Sequence, residues 1–175
     1  EIPIVFYTYY NLVFSQGVEE YVARSLAAGV DGLLTLDLPP EEATELVEAS
    51  RAQGMKNIFI VAPTTPDSRI PTIVESASGF LYYVSREGVT GARKDLASDL
   101  TERVGLIRKF SDLPVVVGFG VSTPEQVCEV GKAADGVVVG SALVNCISEN
   151  LSTPDAIPQA IGSRAAELVA GLTSA

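Results

Sequence analysis

Short apolar runs alternate with longer amphipathic stretches along the whole chain. Six of these runs, rich in Val, Ile and Leu, predict strands over residues 3–9, 31–37, 57–62, 79–85, 114–120 and 136–139. Their interiors are almost wholly apolar, as in Val115-Val116-Val117. Such runs are typical of strands that are covered on both faces, so the pattern favours a parallel sheet over half-exposed antiparallel strands.

Helical spacing of apolar residues fills the segments between the strands. It predicts helices over residues 18–28, 40–53, 71–75, 100–110, 123–133 and 158–172, with a short helical stretch over 142–149. The clearest start is at Thr123, which stands as an N-cap before Pro124 and a third-position Gln126, a capping-box arrangement. No low-complexity linker interrupts the series, so we expect a single domain over residues 1–175.

The alternation amounts to six consecutive strand–helix units, which fits either a doubly wound open sheet or a (β/α)8 barrel. A dinucleotide-binding sheet would place a Gly-x-Gly-x-x-Gly segment after the first strand, and that segment is absent from the sequence. The glycine-rich segments follow the later strands instead, where phosphate-binding barrels place their site. The pattern therefore favours a barrel-type α/β fold with about six of the eight βα units.

Composition and charge argue against several classes of function. The 175 residues include 22 acidic and 12 basic side chains, for a formal net charge of −10, which argues against a nucleic-acid partner. The sequence has no His and only Cys128 and Cys146 as thiols, so it predicts neither a metal site nor a disulfide framework. No apolar run reaches the ~18 residues of a membrane span, and the first residues do not resemble a signal peptide. We therefore expect a cytoplasmic protein without a membrane partner.

Three glycine-containing segments stand at the ends of successive predicted strands. They are residues 85–91, 118–120 and 140–142. Glycine lets main-chain N–H groups approach a ligand closely, and a helix N-terminus offers unpaired donors to an anion. Each segment alone fits an ordinary turn equally well, but the three together favour binding of a phosphate group.

Five segments carry a resemblance to a known family. They are residues 9–14 (Tyr-Tyr-Asn-Leu-Val-Phe), 32–39 (Gly-Leu-Leu-Thr-Leu-Asp-Leu-Pro), 85–91, 118–122 (Gly-Phe-Gly-Val-Ser) and 138–144 (Val-Val-Gly-Ser-Ala-Leu-Val). In this order they resemble tryptophan synthase α subunits over essentially the whole chain. The resemblance implies a (β/α)8 barrel that cleaves indole-3-glycerol phosphate to indole and glyceraldehyde 3-phosphate. It also implies a β subunit as partner, which carries pyridoxal phosphate, and no cofactor on this chain.

The resemblance assigns site residues by position. For the phosphate of the substrate, or a free phosphate or sulfate ion, it implies Gly91, Gly120, Gly140 and Ser141. For the indole pocket it implies Tyr9, Ile60, Tyr82, Phe119, Leu34 and Leu36, with Tyr7 on the same wall. For a lid loop over residues 86–98 it implies Arg86 and Thr90, and for the partner interface Asn11, Phe14 and Pro39.

Two of these assignments have alternatives based on packing. An aromatic side chain is more often part of a core than of a pocket, and strand alternation favours Tyr82 over Tyr83 because the two point to opposite sides. Residues 11–14 are expected in a loop, with an exposed apolar cluster suited to a protein contact. The alternative is that Phe14 packs as a staple at the start of the following helix.

The cleavage requires a general acid and a general base. The family uses a Glu and an Asp on its second strand and the following loop, and the resemblance places both positions before Glu1. Asp37, at the end of a predicted strand, corresponds to a family residue with a supporting role. We therefore expect a truncated chain with little or no activity by itself.

Two missing units would leave two strand edges and their apolar faces open. Self-association, closure as a smaller barrel and completion by another fragment are all compatible with the sequence, and we favour self-association. Two further functions remain open: a binding protein that holds the ligand without turnover, and another phosphate-binding barrel such as a sugar-phosphate epimerase. The second is less favoured because the sequence has no His and only Asp37 as a strand-end carboxylate.

Overall fold

A computed structural model describes residues 2–85, 94–118 and 120–172; for residues 94–98 the description covers the main chain only. Strands and helices alternate throughout this part of the chain. The strands are β1 (Val5–Thr8), β2 (Gly32–Thr35), β3 (Lys56–Val61), β4 (Leu81–Val84), β5 (Val115–Gly118) and β6 (Gly136–Val137). The helices are α1 (Tyr10–Phe14), α2 (Val18–Ala27), α3 (Thr44–Gln53), α4 (Ile70–Ser76), α5 (Lys94–Ile107), α6 (Pro124–Gly131), α7 (Ser141–Glu149) and α8 (Ile157–Ala170).

The chain forms two compact units. The first comprises Glu1–Tyr82 and Arg108–Pro114, and the second comprises Tyr83–Ile107 and Val115–Ala175. In the first unit β1 pairs with β2 and β2 with β3, and in the second β5 pairs with β6, all in parallel. The predicted parallel α/β architecture is therefore confirmed, while the single domain stays a prediction.

Each unit has an apolar core built from its own strands and helices. In the first, Leu33, Val61 and Ile70 are almost fully buried; in the second, Val115 and Val117 are. The odd-numbered side chains of β5 face the core because successive residues of a strand point to opposite sides.

Two reciprocal hydrogen bonds fix the register where β1 meets β2, and two more fix it where β5 meets β6. The Asp31 N–H donates to the Ile4 carbonyl, and Asp31 Oδ2 accepts from the Ile4 N–H, each over 2.8 Å. Asp135 and Val115 repeat this pair over 2.9 and 2.8 Å. Because one carboxylate and one N–H bind the same residue, a slip by one position would break both bonds.

The capping box predicted for α6 is confirmed. The Gln126 N–H donates to Thr123 Oγ1 over 3.3 Å, and the Thr123 N–H donates to Gln126 Oε1 over 3.1 Å. Pro124 occupies the first turn, where its missing N–H is not needed.

Several predicted boundaries are wrong by a few residues. The helix predicted over residues 40–53 divides into a 3₁₀ helix, Pro40–Glu42, and α3. The helix predicted over 100–110 begins earlier, at Lys94, and ends at Ile107. Residues 11–14, predicted as a loop, belong to α1. The strands are mostly shorter than their apolar runs, because an apolar run marks burial whereas a strand ends where its ladder of hydrogen bonds ends.

No helix in the described part of the chain is both long and apolar enough to cross a bilayer.

Candidate functional site

The carboxyl ends of β5 and β6 lie side by side. Val116 pairs with Gly136 and Val117 with Val137, an offset of 20 residues. Gly120 lies two residues beyond the end of β5, and Gly140 lies three residues beyond the end of β6. The structure thus brings together, at one edge of a parallel pair, two of the segments that the sequence singled out for phosphate binding.

The ends of these strands approach each other too closely for a side chain at Gly118. A Cβ atom there would lie 2.5 Å from the Val138 carbonyl oxygen and 2.6 Å from its Cβ. Any larger residue would push the strands apart and displace the loops that follow them.

Main-chain donors in these loops remain available. Gly120 has a φ of 70°, a conformation that favours glycine, and is exposed. Among the described residues, no hydrogen-bond acceptor is assigned to the N–H groups of Gly120, Gly140, Ser141 and Ala142. Such groups require a partner, which is water or an anionic ligand.

Helix α7 begins just after β6, and the positive end of its dipole lies at this edge of the strand pair. Gly140 is its N-cap and makes no side-chain capping bond, while the Gly140 carbonyl accepts from the Leu143 and Val144 N–H groups over 2.9 and 3.2 Å. The first turn contains no acidic residue that would occupy the positive end of the helix dipole. The nine-residue helix therefore presents free donors and a partial positive charge at Ser141.

Two side chains that the sequence analysis did not assign to the site hold the loop after β5. Gln126 Oε1 accepts from the Ser122 N–H over 2.7 Å and from the Ser122 hydroxyl over 3.2 Å. The Arg164 guanidinium, on α8, donates through Nη2 to the Ser122 carbonyl. The Gln126 contact is foreshadowed by the capping-box spacing, whereas the Arg164 contact joins residues 42 positions apart and has no local signal.

An aromatic and aliphatic face lies in the first unit. Tyr7 pairs with Leu34, and Leu34 with Ile58, so the three side chains point to the same side of the sheet. By the same alternation Ile60 lies on this side of β3, while Tyr9 and Leu36 directly follow the ends of β1 and β2. These include four of the residues implied for the indole pocket: Tyr9, Leu34, Leu36 and Ile60.

Tyr82 and Tyr83 differ as the alternation predicts. Tyr83 is 5% exposed and belongs to the core, whereas Tyr82 is half-buried. Burial raises the pKa of Tyr82, and the nearby Tyr7 adds a smaller effect in the same direction. Tyr82 therefore lies near Tyr7 in the first unit.

A cavity of about 270 Å³ opens beside the ends of β2 and β3. Leu36, Asp37, Pro39 and Ile60 all line it, together with the half-buried Thr35. The Thr35 hydroxyl is buried without a hydrogen-bond partner. Only Leu36 and Ile60 of the implied indole-pocket residues reach this cavity, so the pocket residues are not gathered around one closed space there.

Asp37 lies two residues after the end of β2 and is exposed. Its Oδ1 accepts from the Tyr10 N–H over 2.7 Å. Tyr10 is the first residue of α1, so this carboxylate caps a helix that follows a different strand. The contact fits the supporting role that the resemblance implies for Asp37.

The residues implied for the partner interface differ in exposure. Asn11 and Phe14 are exposed, Phe14 by 69%, and Pro39 is partly buried. Val13, and not Phe14, is the buried residue of α1. The Phe14 ring lies 6.0 Å from that of Tyr10 on the same helix.

Four assignments fall outside the described residues: Gly91, Phe119, Arg86 and Thr90. The end of the implied lid segment, residues 94–98, belongs to α5. In the described ranges, no three Asp, Glu, Cys or His residues cluster closely enough to hold a metal ion.

Comparison with known proteins assigns the chain to one family. The family model described as tryptophan synthase alpha chain matches residues 1–170. The tryptophan synthase alpha chain of Opitutus terrae is 58% identical over 171 residues, which cover 98% of this chain and 64% of that protein. That of Methanoregula boonei is 46% identical over 160 residues, 91% of this chain and 60% of that protein.

Solved structures agree with the sequence match. Tryptophan synthase subunit alpha of Legionella pneumophila has a TM-score of 0.87 and 33% identity, covering 100% of this chain and 64% of that one. The Pyrococcus furiosus tryptophan synthase α2β2 complex contains a chain with a TM-score of 0.82 and 38% identity, covering 96% of this chain and 66% of that one. The present chain thus spans slightly less than two thirds of the length of these relatives.

Proposed function

The chain belongs to the tryptophan synthase alpha chain family, and on that premise we propose that it serves tryptophan biosynthesis as a carbon–carbon lyase subunit. The substrate would be indole-3-glycerol phosphate, and the products indole and glyceraldehyde 3-phosphate. We include a cytoplasmic location in the proposal, because a phosphate ester carries charge that does not readily cross a bilayer.

One observation carries the substrate proposal. Gly120 follows β5, and Gly140 and Ser141 follow its parallel neighbour β6; among the described residues, their N–H groups have no assigned acceptor. The start of α7 adds the positive end of a helix dipole. This arrangement binds an anion without basic side chains, which explains how a chain with a net charge of −10 could bind a phosphate ester. The assignment of Gly91 to the proposed phosphate site rests on the resemblance alone.

The first unit would receive the indole ring. Leu34 and Ile60 share one side of its sheet, Tyr9 and Leu36 directly follow β1 and β2, and Tyr82 lies near Tyr7. Flat aromatic rings bind to such apolar surfaces, while the Tyr hydroxyls offer polar contacts at the rim. The assignment of Phe119 to the indole pocket rests on the resemblance alone.

The chemistry itself needs a proton donor for the indole ring carbon and a base for the glycerol hydroxyl. The resemblance assigns neither role to a residue of this sequence. The Asp37 Oδ1 accepts from the Tyr10 N–H, and this contact supports a role in positioning α1. We therefore propose that the 175-residue polypeptide binds substrate with little or no turnover. A non-catalytic binding role is the second candidate, and it rests on the same hydrogen bond between Asp37 and the Tyr10 N–H.

The proposed partner is a β subunit of tryptophan synthase, which would carry the pyridoxal phosphate. The Pyrococcus furiosus relative is described as part of an α2β2 complex. On this chain, Asn11 and Phe14 are exposed on α1, and Pro39 lies near Asp37, which caps that helix. We propose these three residues as part of the contact, and no cofactor or metal on this chain itself.

The test combines binding and turnover. The polypeptide would be titrated calorimetrically with indole-3-glycerol phosphate, and indole release would be followed with and without a tryptophan synthase β subunit. Binding with negligible turnover is the expected result. Efficient turnover by the polypeptide alone would contradict the proposed lack of an acid–base pair, and failure to bind both the substrate and inorganic phosphate would contradict the proposed site.

A further inference from the structure

The loop after β5 owes its geometry to side chains from two helices. Ser122 lies two residues after Gly120, and both of its main-chain polar groups are bound by side chains. Gln126, on α6, takes the N–H, and Arg164, on α8, donates to the carbonyl. A loop held at both groups of one residue has little freedom to rotate the peptide units next to it.

Arg164 is itself held in place. Its Nη1 donates to Glu167, three residues later on the same helix, and its side chain is only 29% exposed. A guanidinium has several donors in a fixed plane, so one group can bind the carboxylate while another binds the carbonyl. The bond to Ser122 is therefore made by an anchored side chain.

Helix α8 also connects the two loops of the proposed phosphate site. It packs against both α6 and α7, and α7 begins at Ser141. At Gly171, just past the end of α8, a Cβ atom would lie 2.3 Å from the Pro124 carbonyl oxygen. Helix α8 thus lies directly against the start of α6 and beside the helix that carries Ser141.

We propose that Arg164 is a positioning residue for the phosphate site: by binding the Ser122 carbonyl it holds the Gly120 N–H in the orientation that an oxyanion requires. The inference rests on the proposed function, since it names a residue that supports the same site. Arg164 touches the loop and acts on the ligand through it. Neither the glycine pattern nor the family resemblance assigns it any role.

The experiment compares two substitutions that remove the same charge. Arg164→Met removes the bond to Ser122 together with an i,i+3 ion pair. Lys132→Met removes an equivalent i,i+3 pair with Glu129 on α6 and leaves the loop untouched. Both change the net charge equally, so a difference in the Kd for inorganic phosphate reports the loop contact.

Arg164→Met should weaken phosphate binding about tenfold, the loss expected for one charge-assisted hydrogen bond that orders the site. Lys132→Met should stay within about twofold of the unsubstituted protein. Titrations at about 0.05 M and about 0.5 M NaCl separate positioning from long-range attraction, because only the latter is screened by salt. The Gly120 amide resonance should move in ligand-free Arg164→Met and stay in place in Lys132→Met.

Equal phosphate affinity in the two variants, or an unmoved Gly120 resonance, would overturn the inference. If Arg164→Met does not fold, Arg164→Lys serves the test: it keeps the charge but lacks the planar fork, and should bind phosphate about threefold more weakly. An unsubstituted protein that binds no phosphate would overturn the proposed phosphate site itself, an outcome distinct from equal binding by the variants.

Discussion

Gly120 shows how much a single residue contributes to the proposed site. Its φ of 70° turns the chain just after β5, and its N–H has no acceptor among the described residues. A side chain at this φ costs about 1–2 kcal/mol in backbone strain. A substitution therefore changes both folding and binding, and a test must separate the two effects.

Gly120→Asp is expected to abolish phosphate binding, because it places a negative charge where the anion would sit. Gly54→Asp is the matched control: Gly54 also has a positive φ, 85°, with open space around a Cβ, and it lies at the end of α3 in the other unit. Both variants should lose similar free energy of unfolding in denaturant titrations. Calorimetry with phosphate should separate them, and unchanged affinity in Gly120→Asp would remove Gly120 from the site.

Helix α6 begins where the capping residues of the sequence predict it to begin. Thr123→Ala removes the hydroxyl that accepts the Gln126 N–H. The free energy of unfolding should fall by about 1 kcal/mol, the usual cost of losing an N-cap. Thr153→Ala is a matched control, since Thr153 makes no side-chain capping bond at the 3₁₀ helix Pro154–Ala156. Urea denaturation of both variants measures the difference, and equal losses would show that the capping box contributes nothing specific.

Acid should weaken the start of the same helix. A main-chain hydrogen bond, and then the Thr123 side chain, lower the pKa of Glu125 below its ordinary value. A carboxyl with a lowered pKa in the folded state stabilises the fold fully above its unfolded pKa, and this contribution is lost as the pH falls through the folded pKa. Glu125→Gln should therefore make the unfolding free energy less dependent on pH in the acid range than Glu48→Gln, which alters an exposed side chain on α3. Identical acid profiles for the two variants would contradict this assignment.

At the scale of the whole molecule, large apolar side chains lie open to solvent. In the first unit Ile4, Tyr7, Tyr9 and Phe14 are each at least half exposed. In the second unit Val144, Leu151 and Val169 are more than half exposed. Contiguous exposed apolar surface favours association, so self-association stays our prediction for the 175-residue polypeptide.

Sedimentation velocity over a hundredfold range of concentration would test this prediction. A rising weight-average sedimentation coefficient is expected, and Tyr7→Lys together with Phe14→Lys should shift the association to higher concentration. Glu20→Gln and Glu48→Gln, on the exposed surfaces of α2 and α3, provide a control with the same total change in charge. A single monomeric species throughout the range would show that the open apolar surface does not mediate self-association.

The sequence by itself determined the features that depend on near neighbours. The alternation of apolar runs predicted the parallel α/β units, and the spacing of Thr123, Pro124 and Gln126 predicted the start of α6, because burial and capping leave periodic or fixed-offset signals. The glycines at 120 and 140 were identified as the ends of successive strands. Their family resemblance supplied the proposed ligand.

Only the tertiary structure decided which distant groups meet. The Arg164–Ser122 bond, the capping of α1 by Asp37 and the burial of Val13 in place of Phe14 all depend on how helices and strands pack. A guanidinium or a carboxylate can reach many acceptors or donors, and nothing in the local pattern selects among them. The parallel pairing of β5 with β6 places the carboxyl ends of the two strands side by side, so the loops that contain Gly120 and Gly140 begin next to each other.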